Sequence, residues 1–427
     1  MHEHTALTEA PSNVVWENLE GFARLKVQEF LQRLLEEEVT ELLGRTKSQR
    51  RPTAEEEPLA GPTAPVYRNG YGKPRRLTTA CGTITVQRPR VRGLEGRFES
   101  RVLPLFQRRT RAVDRLLPEL YLHGLAEGDF DQALRGLLGE QAPISAASIA
   151  RLKAGWQVEY HAWKERSLAA CEVVYLWVDG IYVKAGLEKE KAALLVVLGA
   201  LRDGSKVVLA VESGHRESTE SWSAVLRDLK QRGLPAPQLV VGDGNLGIWG
   251  ALANVYPSAG EQRCWNHRMV NVLDRIPKKR QPEAREFLRG MMYADTRETA
   301  TRRKEQFQAW CRKQGCAPAG ELLDHDWDRL VAYYAFPLEH WKHLRTTNPV
   351  ESPFAAVRLR TTAAKRYKRV ENATAVLWKT LLLAERTFRR LNAPELLAEV
   401  AAGVRFENGV RLRALEVVEI THEKVAA

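Results

Sequence analysis

Three acidic residues stand where packing alone does not explain an acid. Asp179 interrupts the aromatic and β-branched run VVYLWVDGIYV, Asp243 ends the apolar run LVVGD, and Glu351 sits in NPVES at the start of a late helical pattern. A buried carboxylate with no partner costs several kcal/mol, so a cation or metal is expected beside it. Carboxylates converging from separate elements suit hard divalent ions such as Mg2+, with Mn2+ able to replace it. Two such ions roughly 3.5–4 Å apart clamp the attacking and leaving oxygens of an in-line phosphodiester displacement. Each acid also has a plainer reading. Asp179-Gly180 and Asp243-Gly244 could be turns, and Asn348, Pro349 and Glu351 could form a capping box with Asn348 as cap.

The charge balance points the same way. Formal net charge is +12 and the isoelectric point is near 9.5, which suits a polyanionic partner. Residues 68–115 hold 13 Lys+Arg against 3 Asp+Glu, and residues 358–390 hold 10 against 2. Basic residues focused in this way suit a phosphate backbone; a solvated face more often mixes both signs. Cysteines 81, 171, 264, 311 and 316 form no regular framework, the N-terminus lacks a signal pattern, and no run is long enough to span a membrane. The expected setting is the cytoplasm, with DNA as partner, no membrane and no small-molecule cofactor.

At 427 residues, two or more modules must position these acids. Residues 1–50 carry Leu19, Phe22, Leu25, Phe30, Leu31, Leu34, Leu35, Val39 and Leu42 at helical spacing, as a packing or dimer face. Residues 51–65 read as a linker. Residues 66–112 form a basic β-containing segment in which Arg75, Arg76, Arg88 and Arg90 could lie along DNA, with Tyr67 and Tyr71 stacking or packing. Residues 113–165 read as helical. DFDQALRGLLG and ISAASIARLKAGW could be a helix-turn-helix, its second helix capped by Ser145 and carrying Arg151 and Lys153 to a groove, or an ordinary helical pair.

In residues 166–265, Arg202-Asp203-Gly204-Ser205 predicts a hairpin between two of three antiparallel strands, followed by helix-strand alternation. That order is found in RNase H-like domains. Residues 266–343 carry no strand pattern and read as a helical insertion, with ELLDHDWDRLVAYYAFP as one of its helices. Residues 344–391 return to the core with the glutamate's helix, and 392–427 offer a weak strand pattern without chemistry. Cys264 and His267 supply half of a zinc site, which Cys311 and Cys316 could complete, or serve a structural role near the acids. Arg358, two helical turns past Glu351, falls on the same helical face.

The strings LWVDGIY, RESTESWSAVLRDLKQRG, VVGDGNLGIWGAL, EQRCWNHRMVNVLDRIPK, EHWKHLRTTNPVES and AAVRLRT resemble the Mutator-like transposases of bacterial insertion sequences. The resemblance runs from the N-terminal helices to about Leu391. It implies a DDE transposase: an α/β RNase H-like catalytic core interrupted by an all-α insertion, preceded by helical and small β DNA-binding modules. Asp179, Asp243 and Glu351 would be its catalytic and metal-holding acids, using two Mg2+ ions. Cys264 and His267 match the family's Cys-x-x-His element, and Arg358 a basic residue that contacts transposon DNA. The implied partners are terminal inverted repeats and target DNA, bound by a homodimer associated with the bacterial nucleoid. A transposase-derived regulator that binds without cutting, and a simple RNase H-like nuclease, are the alternatives. Pro353 departs from the family pattern and predicts a shifted helix start, and residues 363–373 replace a segment often containing glycine in relatives.

Overall fold

In the computed structural model, residues 16, 18–49, 66–139, 146–186, 191–214, 217–244 and 247–412 are described. The linker at 51–65, Ser145 with its turn, and the chain past Leu412 lie outside them. The chain divides into two units, residues 1–152 and 153–427.

In the first unit, helix α1 (Leu19–Leu43) stops at Gly44, whose φ of 62° is the left-handed geometry glycine adopts freely. Four short strands follow: β1 (Tyr67–Tyr71), β2 (Arg75–Thr79), β3 (Gly82–Val86) and β4 (Pro89–Arg92). β2 and β3 form an antiparallel hairpin with Arg75 opposite Val86, and β1 pairs with β4. Leu35 of α1 packs with Leu77, Ile84, Val86 and Leu103. The buried Glu38 carboxylate accepts from the Ser100 hydroxyl and the Arg101 amide, tying the helix to the segment after the strands. Leu19, Phe22, Leu25, Phe30 and Leu42 stay exposed, so only part of the expected apolar face is used within this unit. Helices α2 (Arg111–Leu122), α3 (Phe130–Leu138) and α4 (Ala146–Lys164) follow, α4 running on into the second unit.

The second unit is built on one five-stranded sheet: β5 (Val173–Val183), β6 (Ala192–Leu201), β7 (Lys206–Gly214), β8 (Leu239–Gly242) and β9 (Gly260–Arg263), in the order β7-β6-β5-β8-β9. β5, β6 and β7 are antiparallel and joined by hairpins, the second turning at Gly204 with φ of 83°. The β5–β8 and β8–β9 pairs are parallel. Parallel neighbours need crossovers, supplied by α5 (Thr219–Gln231), capped by the Ser218 hydroxyl, and α6 (Ile248–Val255). The period-two alternation of a strand sorts β5 into two faces. Leu176 and Val178 join Trp222, Leu226, Ile248 and Leu252 in the core under α5 and α6. Tyr175 and Trp177 turn the other way, where the Tyr175 hydroxyl bonds His340 Nδ1 at 2.8 Å and Trp177 Nε1 donates to the His343 carbonyl at 2.9 Å.

Between Asn266 and His343 there is no strand. α7 (Trp265–Leu273), α8 (Gln281–Met292) and α9 (Arg297–Lys313) are regular, and then come only one-turn helices, α10 (Ala317–Glu321), α11 (Trp327–Leu330) and α12 (Trp341–Leu344). The expected helix over ELLDHDWDRLVAYYAFP is broken because side chains take its backbone groups. Tyr333 N donates to Gln262 Oε1, and the Leu330 carbonyl accepts from Trp265 Nε1 and Gln262 Nε2. α13 (Asn348–Glu351) and α14 (Phe354–Ala364) are separated at Ser352-Pro353, whose dihedrals stay right-handed helical while the proline lacks the N–H the ladder needs. α15 (Val370–Glu385) lies on β7, where Glu385 accepts from the Val208 amide. In the described part of the tail, the weak strand pattern is realised in a small hairpin of β10 (Phe406–Glu407) and β11 (Val410–Arg411), preceded by the helix α16 (Glu395–Ala401), in which Leu397 and Val400, three apart, bury together. Among the described residues no helix is long and apolar enough to cross a membrane.

Gly247, at the start of α6, is where two backbones meet: a Cβ there would collide with the Ser218-Thr219 peptide at the start of α5. At Gly250 a Cβ would stand 3.1 Å from the Thr219 methyl, which can move. Gly247→Ala is therefore expected to cost about 1–3 kcal/mol, the range of overpacked interiors, and Gly250→Ala clearly less. Chemical denaturation of the two variants checks the order.

Candidate active site

The parallel register between β5 and β8 sets two acids side by side. Val178 pairs with Gly242, so Asp179 and Asp243 are the next residues on neighbouring strands that run the same way. In-register residues of a parallel pair share a face, here the face opposite the α5–α6 core. Asp179 lies within continuous strand rather than in a turn and is only 8% exposed. Its Oδ1 accepts from the Gly180 amide at 2.8 Å. Asp243 does precede a turn, at Gly244 with φ of 78°, so the turn and the site coincide. Arg263, at the end of β9, fixes that turn by donating Nη1 to the Gly244 carbonyl at 3.0 Å, and is itself held by Asp326 at 3.3 Å.

Glu351 arrives on α13, which packs against β5 and β6. The cap of this helix is Thr347, not the expected Asn348: the Thr347 hydroxyl donates to Glu351 Oε1, while Asn348 Oδ1 accepts from Asn266 Nδ2 at 3.0 Å. Thr347 is fully buried, and its amide donates to Cys264 Sγ at 3.3 Å, with the hydroxyl oxygen 3.2 Å from the same sulfur. His267 Nδ1 lies 3.8 Å from Glu351 Oε1. The Trp265 amide donates to the Arg345 carbonyl at 2.9 Å, so the start of α7 is bound to the segment that leads into α13. Cys264, His267 and Glu351 thus present donor atoms all within 4.8 Å of one another. Cys311 and Cys316 do not join this group and leave it at three residues.

The electrostatics tie both sets together. Burial pushes the Asp179 carboxyl up to about 7, helped by the charges of Asp243 and Glu351 and opposed by the Gly180 amide and His267. His267 is pushed up to about 9 by its contact with Cys264 and by the charges of Glu351 and Asp243, against its burial. The pocket therefore crowds negative charge around oxygen donors, with one nearby imidazole in partial compensation. Such a donor set fits a hard divalent cation. The Cys264–His267–Glu351 set is mixed in softness, and its thiol is engaged by Thr347.

Arg358 is exposed on α14, while Arg75, Arg76, Arg88, Arg90 and Arg151 belong to the first unit and Lys153 opens the second. All five cysteines are free. Two residues that hold the acids, Arg263 and Thr347, carried no signal in sequence: an arginine ending a short strand and one of two adjacent threonines match no spacing rule.

Comparison with known proteins places the chain in a family. The profile described as transposase, Mutator family, matches residues 1–386. The transposase of insertion sequence element IS6120 from Mycolicibacterium smegmatis is 44% identical over 297 residues, covering 70% of this chain and 92% of the relative. The transposase of IST2 from Acidithiobacillus ferrooxidans is 39% identical, over 65% of this chain and 95% of the relative. The transposase of ISRM5 from Rhizobium meliloti is 30% identical, over 85% and 87%. With its profile covering nearly the whole chain and its relatives named as transposases of insertion sequences, the chain belongs to the Mutator family of transposases.

Proposed function

We propose that the protein is a DDE transposase in which Asp179, Asp243 and Glu351 hold two divalent ions, Mg2+ with Mn2+ able to replace it, in an RNase H-like core. The observation that carries this reading is the convergence of an aspartate within β5, an aspartate just past the end of the parallel neighbour β8, and a glutamate from a later helix. Divalent ions held there would neutralise charge on the attacking and leaving oxygens of an in-line displacement. The chain's own residues prepare that pocket. Thr347 and His267 hold the Glu351 carboxylate, Arg263 holds the turn after Asp243, and the Gly180 amide orients Asp179. Water would free a 3′-hydroxyl at an element end, and that hydroxyl would then attack target DNA. The basic segment 66–112 and the helices of 113–165 would bind terminal inverted repeats, Arg358 would contact the transposon strand, and a homodimer would hold two ends.

Asp179→Asn, Asp243→Asn and Glu351→Gln should each lower end cleavage and joining by at least about 1,000-fold, a barrier increase of roughly 4 kcal/mol. End binding in a gel shift should persist. Wild-type protein that hydrolyses ends but never joins them would point to a nuclease, and binding without nicking in Mg2+ or Mn2+ to a regulator.

Thr347→Val removes the hydroxyl that holds Glu351 and should cost about 10–100-fold in metal affinity or activity, as for other residues that orient metal-binding side chains. The readout is the Mg2+ concentration giving half-maximal cleavage, which Thr347→Ser should restore.

Because the Asp179 pKa is higher in the folded protein than in the unfolded chain, its protonated form favours folding. That contribution is complete below about pH 4 and is lost as pH rises through about 7. Without divalent ions, Asp179→Asn should therefore melt several degrees above wild type at pH 8, and the gap should close as the pH falls toward 4. Thermal melts in chelator across that range check the sign.

A further inference from the structure

In the first unit, the β2–β3 hairpin and the segment running to residue 108 enclose an open concavity of about 750 Å³. Lys73, Arg75, Arg76, Arg88, Arg97 and Arg108 line it, and no acidic residue does. Arg75 spends one nitrogen on the Pro104 carbonyl, at 3.1 Å. Its Nη2 and Arg88 Nη1 are buried without a hydrogen-bond partner in the protein. Guanidinium nitrogens removed from water and left unpaired carry a desolvation cost that an anionic oxygen would offset. The Arg75 guanidinium is made less basic by its burial and by neighbouring Arg88 and Arg108, as crowded cations without a counter-charge should be.

On the rim of the same concavity stands Phe106. It is 86% exposed and its φ is 66°, so an aromatic side chain gives up burial and an L-residue accepts left-handed geometry at one position. The backbone around it is fastened on both sides. Gln107 N donates to the Pro104 carbonyl that Arg75 also holds, Thr78 N donates to the Arg108 carbonyl, and Thr110 N donates to the Thr78 carbonyl. Phe106 is therefore a fixed projection beside a cationic trough.

We infer that this concavity seats the sugar–phosphate backbone of duplex DNA and that Phe106 enters the base stack beside the held phosphates. Arginines at the backbone with an apolar wedge between bases is the chemistry of proteins that bind DNA by unstacking a step. The inference rests on the transposase reading and adds to it a site, Lys73, Arg97, Arg108 and Phe106 among its residues, and a distorted form of substrate.

The test uses the full-length protein in chelator, so that only binding is read. The probes are a 40-base-pair duplex from the end of the element, with 2-aminopurine at successive positions, and a scrambled duplex of the same length. Kd is measured by anisotropy from about 50 to 300 mM salt. Arg75→Gln with Arg88→Gln should weaken binding and lower the slope of log Kd against log salt by about 2, since each phosphate contact contributes about 0.9. Phe106→Ala should weaken binding about 10-fold without changing that slope, and should remove the fluorescence rise of 2-aminopurine at one position; Phe106→Trp should keep both. Phe106→Gly fits the left-handed geometry, so its melting temperature should equal or exceed that of wild type while its DNA binding falls, which separates binding from folding. Wild-type affinity, salt slope and fluorescence in the Phe106→Gly and Arg75→Gln/Arg88→Gln proteins would overturn the inference while leaving the transposase reading intact. A wild-type protein that binds neither duplex would overturn both.

Discussion

The second unit depends on one pairing: β8 lies parallel to β5 with Gly242 opposite Val178. A slip of one residue would send Asp243 to the far side of the sheet from Asp179. Keeping the register falls to the apolar runs themselves, since Leu176, Val178 and Val240 must meet Trp222, Ile248 and Leu252 beneath α5 and α6. The packing that stabilises the sheet is thus also what brings two like charges together. Burial and mutual repulsion then raise the Asp179 pKa and leave the pocket with excess negative charge.

The third acid comes from beyond the strandless stretch 266–343, and that stretch is anchored to the strand that bears the first. Tyr175 and Trp177, four and two residues before Asp179 on the same strand face, bond to His340 and His343 respectively. From there the chain reaches Arg345, bound by Trp265, and Thr347, bound to Cys264. The Cys-x-x-His element works in this geometry as a bracket: its cysteine receives the cap residue of the glutamate helix and its histidine faces the glutamate.

Much of this was legible in the residues. The β-branched and aromatic run VVYLWVDGIYV, the turn at Arg202–Ser205, the Ser218 cap and the loss of strand pattern after Asn266 all follow local rules, and the structure realises them. What failed were readings in which tertiary partners outbid local preference. The stretch from Glu321 to Pro337 has helical composition, but Gln262 and Trp265 claim its backbone groups. Asn348-Pro349 looks like a cap and first turn, yet Thr347 takes the cap position because Cys264 and Glu351 are both within its reach. Arg263 and Thr347 were invisible because their roles exist only once remote segments meet.

The division of the chain at Leu152 also has a temporal side. Domains fold as they leave the ribosome, with synthesis at roughly 5–20 residues per second. The basic unit is complete while Asp179 and Asp243 are still unmade, and Glu351 follows only after the whole helical stretch 266–343. For roughly tens of seconds each nascent chain owns its cationic surface without a complete acidic pocket. Translation order alone therefore completes the basic unit well before the last acid of the pocket has been made.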